Sequence, residues 1–91
     1  MVRTFKDLIV WQKSHNLVLK VYKVTEKFPA YERYSLVDQI RRSSVSVAAN
    51  IVEGYQKGRK EYLRFLDISR GSLEETKYFL LLSHDPMIWN I

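Results

Sequence analysis

Polar and apolar positions alternate along this chain with the period of helices. From residue 8, Leu8, Trp11, His15, Val18, Tyr22 and Thr25 follow one another at steps of three and four. Leu17, Val21, Val24 and Phe28 make a second, adjacent line. Two lines on one 3.6-residue period predict an amphipathic helix with a broad buried face. Thr4-Phe5-Lys6-Asp7 has the form of a capping box and marks its start. Pro29 pushes Phe28 out of the helical region and marks its end.

A second helix is announced by the same device. Ser35-Leu36-Val37-Asp38 again places a hydroxyl three residues before a carboxylate. Leu36, Ile40, Val47 and Ile51 then trace one face, with Ser43, Ser44, Ala48 and Ala49 around them. Gly58 is a natural stop. Gly54 lies earlier, where a helix interior loses roughly 1 kcal/mol relative to Ala, and a close packing contact explains its use. A third helix begins near Arg59 or Lys60 and carries Tyr62, Phe65, Leu66, Ser69, Leu73, Thr76 and Leu80 at helical spacing. Gly71 interrupts it and again suggests close approach, and Asp85-Pro86 ends it. Met87 to Ile91 are apolar and uncharged but too few for another substantial helix.

Short connections make consecutive long helices antiparallel neighbours. The expected fold from this pattern is an all-α, up-and-down bundle of three long helices. All 91 residues form one domain. The two apolar lines of the first helix, with Tyr78 and Phe79 on the third, leave more apolar surface than three helices bury among themselves. Surplus of that kind marks a partner interface.

Composition removes most chemistry. Cys is absent, so disulfides and thiolate metal sites are excluded. His15 is read as a core or interface side chain on the inner face, and His84 as a helix-end cation. Neither His has a Glu three residues before it, as a carboxylate-bridged metal bundle needs. There is no glycine-rich phosphate loop and no nucleophile elbow. The sequence implies no enzyme activity and no cofactor. Asn50 and Glu53, one turn apart within an apolar stretch, are read as a structural polar layer that fixes helix register, and Glu74 and Glu75 sit in a similar setting. The longest apolar run, Tyr78 to Leu82, is too short to span a bilayer, and charges near the N-terminus do not fit a signal peptide. A cytoplasmic protein is expected.

Fifteen Lys and Arg against ten Asp and Glu give a formal charge of +5. Four lysines of the first helix, Lys6, Lys13, Lys20 and Lys27, recur every seven residues, and Lys23 is near the last two. A heptad drifts only about 20° per repeat on a helix, so these groups share one face. One reading is a solvated outer surface that keeps the protein dispersed. The other is a row that follows nucleic-acid phosphates. Arg41 and Arg42 join the candidate nucleic-acid residues, and Lys57, Arg59, Lys60 and Arg64 add charge.

Several blocks of the chain resemble a known family. Phe5-Lys6-Asp7-Leu8-Ile9-Val10-Trp11-Gln12-Lys13 resembles the opening of the bacterial four-helix-bundle proteins encoded in 23S rRNA intervening sequences. The similarity is strongest at Gln39 to Val47 and at Asn50-Ile51-Val52-Glu53-Gly54-Tyr55, and it resumes at Glu61 to Leu66 and Gly71 to Thr76. It covers residues 4 to 82, and the end from His84 looks unlike the family's turn and fourth helix. The resemblance implies an up-and-down helical bundle of the four-helix-bundle type, here with three long helices present and the fourth missing after about residue 83, that assembles into homopentamers, with RNA or DNA association and no enzymatic activity. The accessory variability proteins of diversity-generating retroelements resemble the same family, which adds a reverse transcriptase as a possible partner. Two function classes follow: a nucleic-acid-associated oligomer using the lysine face, or a structural or protein-interaction module whose charge confers solubility.

Overall fold

In a computed structural model of the chain, three α-helices account for most residues: α1 (Ile9–Thr25), α2 (Asp38–Tyr55) and α3 (Arg59–Ser83). The structure describes residues 1–85 and 87, with side chains throughout except at residues 32–34. Among these residues there are no strands. The tail expectation for Met87–Ile91 falls outside the described residues except at Met87, and so does Pro86.

The Thr4–Asp7 capping box forms, but it closes a separate 3-10 turn, Phe5–Asp7, and not α1 itself. The Asp7 carboxylate accepts from the backbone N–H of Arg3 at 2.8 Å and of Thr4 at 3.1 Å. These two donors hold its carboxyl below the usual range. Leu8 is extended, and α1 starts after it. The break has a packing consequence. Positions 5 and 11 would lie well around a continuous helix from each other, whereas here the Phe5 and Trp11 rings meet edge-on at 5.1 Å.

The buried line of α1 runs between the two expected lines. Ser14, Val21 and Thr25 are buried, and Leu17 and Val18 are half-buried. Val24 is exposed, and so is His15, which corrects its inner-face assignment. The His15 ring stacks on Trp11 with centroids 4.9 Å apart, one turn along the flank of the helix.

Between α1 and α2 the chain forms a 3-10 turn, Ala30–Glu32, and a π-helical turn, Arg33–Val37. Ser35 lies inside that turn, so the predicted capping box is not the start of α2. The cap position falls on Val37, which is already helical, with no side-chain cap bond. Leu36 and Val37 are buried, and their insertion in the core draws the turn into line with α2. The α2–α3 connection is Gln56-Lys57-Gly58, where Gly58 takes φ +82°.

The two-turn link and the three-residue link leave α2 as the central helix, packed antiparallel against both α1 and α3. The molecule is elongated, 50 × 21 × 17 Å. One core cluster joins Val21, Leu36 and Ile40, with Leu17, Phe28, Phe79, Leu80 and Leu82 against it. Val47, Ile51 and Phe65 are also buried. Gly54 is pressed against α3: a Cβ there would stand 2.5 Å from Phe65 Cβ. Gly71 is the opposite case. It is exposed with nothing within 4 Å of an added Cβ, so the expected close approach does not occur within this chain.

Candidate nucleic-acid interface

The outward half of α1 is basic and carries no compensating acid. Lys13, Lys20 and Lys23 are all exposed, and no Asp or Glu occurs from Leu8 to Thr25. The buried line at Ser14, Val21 and Thr25 lies on the other half of the same helix, so core packing turns these ammonium groups to solvent. Among the described residues the ion pairs are Arg42–Asp38, Arg64–Glu61 and Lys77–Glu74, and none involves a lysine of α1. The four-membered row is therefore partly rearranged. Lys13 and Lys20 share the α1 face, but Lys6 sits in the preceding 3-10 turn and Lys27 follows the helix end, both exposed. The chain direction changes at Leu8, so a seven-residue step no longer guarantees a common face there. The 3-10 turn is tied to α1 by Gln12 Nε2 donating to the Lys6 carbonyl at 2.9 Å.

Arg41 and Arg42 have different surroundings. Arg41 is half-buried and clamps the last turn of α1. Its Nε donates to Thr25 Oγ1 at 2.9 Å, and its guanidinium lies 4.5 Å from the centre of the Tyr22 ring. A second nitrogen reaches the Tyr22 carbonyl at 3.4 Å. A cation at a helix C-terminus is favoured by the exposed carbonyls, so Arg41 acts first as an interhelical strut. It also borders a recess of about 340 Å³ with Glu26, Phe28 and Pro29. Arg42 is exposed and pairs with Asp38 at 3.5 Å; such an exposed pair contributes little to stability and leaves Arg42 accessible.

The polar layer lies between α2 and α3, and serines and a threonine build most of it. Asn50 Nδ2 donates to the Ser46 carbonyl at 2.8 Å and to Ser46 Oγ at 3.0 Å. Ser46 and Ser72 share a hydroxyl–hydroxyl bond of 2.8 Å. Thr76 Oγ1 lies 2.7 Å from Ser43 Oγ, and Ser69 Oγ donates to the Val47 carbonyl at 2.6 Å. Asn50 thus joins the layer through Ser46 of its own helix. Glu53 does not join it: its side chain is exposed beside Ala49, Val52 and Gln56. Glu74 and Glu75 are exposed as well. The hydroxyl members could have been found in the sequence, since Ser69, Ser72 and Thr76 repeat at helical spacing opposite Ser43 and Ser46.

Among the described residues no three His, Asp or Glu side chains gather as metal ligands, and no helix is long and apolar enough to cross a membrane. Shallow depressions on the outward face of α2 are lined by Val45, Ala49 and Val52 between Arg42 and Lys57. Val45 remains 41% exposed, which is high for an apolar side chain near the middle of the central helix.

Taken together, these observations define an antiparallel all-α bundle with one acid-free basic helix face. The sequence pattern of the 23S rRNA-intervening sequence proteins matches residues 6–90, and the chain belongs to that family. The matched span takes in all three helices. Among curated proteins, none matches the chain.

Proposed function

We propose that this protein is a non-enzymatic, self-associating helical module that binds RNA or DNA phosphates through the outward face of α1. The observation that carries this reading is the acid-free row Lys13, Lys20 and Lys23, exposed and outside the ion pairs of the bundle. Lysines at these intervals meet phosphates without reading base edges, so binding is sequence-tolerant and weakens steeply with salt. Lys6 and Lys27 extend the row beyond either end of the helix. Arg42 lies around the bundle on α2, and Arg41 supports the surface by holding α1 in place.

Self-association rests on the apolar outward face of α2, where Val45 and Ala49 are exposed and Val52 half-buried. Copies arranged by symmetry would repeat the lysine row and add their fields. The family resemblance makes five the expected copy number.

The test is fluorescence anisotropy with a labelled RNA hairpin and a labelled DNA duplex. Roughly micromolar affinity at about 50 mM salt is expected for either, falling as salt rises. Lys13→Glu, Lys20→Glu and Lys23→Glu together should abolish it and leave helicity intact, because both residue types form helices well. Light scattering on the same samples should give a multiple of the 10.9 kDa protomer. A parent protein that binds neither probe would leave the interaction-module reading in its place.

A further inference from the structure

The turn between α2 and α3 carries a second concentration of positive charge. Lys57, Arg59, Lys60 and Arg64 are all exposed, and Glu61 is the one acid from Gly54 to Leu66. Arg64 takes that acid, with Nε 3.2 Å from Glu61 Oε2. Lys57 and Arg64 are also positioned by an aromatic ring. The Lys57 ammonium lies 5.7 Å and the Arg64 guanidinium 5.0 Å from the centre of the Phe65 ring. Phe65 is itself buried and seated against Gly54, so the ring is a fixed platform. Orientation by a ring differs from orientation by a carboxylate, because the ring holds the cation without neutralising it. The charge of Lys57 stays available to an outside anion.

Topology adds the end of α1 to this cluster. Arg41 bonds Thr25 at one end of the α1–α2 pair. Antiparallel packing therefore sets the start of α1 beside the finish of α2, and the 3-10 turn bearing Lys6 touches α2. Lys6 consequently lies at the same end of the 50 Å molecule as Lys57, Arg59 and Lys60.

We infer that this end of the bundle is a second phosphate-contacting surface, separate from the α1 face and joined to it through Lys6, so that one nucleic acid is held along α1 and again at the α2–α3 turn. The inference rests on the nucleic-acid reading proposed above. The partner chemistry is a run of backbone phosphates, and the RNA and DNA probes distinguish its source.

The experiment compares the parent with two triple variants on the same probes, from about 50 to 200 mM salt. One variant carries Lys57→Glu, Arg59→Glu and Lys60→Glu. The other carries the α1 changes, Lys13→Glu, Lys20→Glu and Lys23→Glu. The turn variant should bind at least about tenfold more weakly at low salt, and its salt slope should fall by about 2 to 3, near one per lost phosphate contact. Misfolding is controlled by the positions themselves. Arg59→Glu and Lys60→Glu place acids in the first turn of α3, where they favour the helix, so this variant should melt at or above the parent temperature. Preference for one probe identifies RNA or DNA as the source of the phosphates. A turn variant with the affinity and salt slope of the parent, beside an α1 variant that has lost binding, overturns the second surface and leaves the α1 face standing. The reverse pattern supports the turn and overturns the α1 face. No binding by the parent overturns both.

Discussion

Gly54 and Gly71 are both helical glycines, and the structure assigns alanine opposite effects at the two. At Gly54 the added methyl would stand 2.5 Å from Phe65 Cβ, 3.1 Å from its Cγ and 3.4 Å from Tyr62 Cδ1. Carbon atoms prefer roughly 3.5–4.0 Å, so the first contact is about 1 Å too short. The obstructing atom is bonded directly to the α3 backbone, so no side-chain rotation removes it and the two helices must move apart. Overpacking of this kind costs about 1–3 kcal/mol, and an obstruction fixed to backbone belongs at the upper end. Alanine returns about 1 kcal/mol of helix propensity. The net for Gly54→Ala is a loss of about 2 kcal/mol, or roughly 8–16 °C in melting temperature for a domain of this size. At Gly71 nothing lies within 4 Å, so only the propensity gain remains. Gly71→Ala should raise the melting temperature by about 4–8 °C. Far-UV circular dichroism melts of both variants at one protein concentration check the pair. Gly54→Ala melting at or above the parent would refute the close α2–α3 contact. Gly71→Ala melting below it would mean that another copy covers this face of α3.

Two further substitutions separate structural from binding roles. Thr76→Val removes the buried hydroxyl that meets Ser43 and should destabilise by about 1–2 kcal/mol, read from urea unfolding; an unchanged midpoint would show that the hydroxyl layer is not holding α3 to α2. Arg41→Met keeps the aliphatic stem but loses the Thr25 bond and the Tyr22 ring contact, for a cost of about 1–2 kcal/mol, and Arg41→Lys should recover less than half because an ammonium cannot reproduce the planar stack. Anisotropy of folded Arg41→Met should stay near the parent affinity, and a loss as large as that of the α1 lysine variant would return Arg41 to the contacting residues.

The helices were legible because their signal is repeated many times over. Every turn of α2 and α3 restates which side is apolar, and Gly58 and Pro29 mark interruptions that no neighbouring residue contradicts. Gly54 was readable too, since glycine in a helix interior needs a reason. The errors lie where local pattern and packing compete. Thr4 and Asp7 announced a cap correctly, but the Phe5–Trp11 contact depends on a break at Leu8 that no periodicity records. His15 satisfied the spacing of an apolar line and still faces water, because α2 packs nearer Ser14 and Val21. Glu53 lies one turn from Asn50, but the offset of about 60° between them puts Asn50 on Ser46 at the α2–α3 seam and leaves Glu53 exposed beside it. The lysine row was visible as charge, whereas Arg41 as a strut was not, because its partners Tyr22 and Thr25 are distant in the chain.

The hydroxyl layer between α2 and α3 bears on how such a chain diverges. Ser43 and Thr76 are small, enclosed and meet side chain to side chain, so a change at either bears on the other, whereas Ser69 bonds the Val47 carbonyl that any residue at 47 supplies. The α1 lysines touch none of them. Drift can therefore erase, reverse or enlarge the charge on α1 while the bundle persists, and copies of one ancestral gene could keep a common scaffold while their surfaces part company. For two relatives of this chain, agreement at the hydroxyl positions speaks for a shared α2–α3 seam, and under the proposed function a shared phosphate-binding face requires agreement at positions 13, 20 and 23.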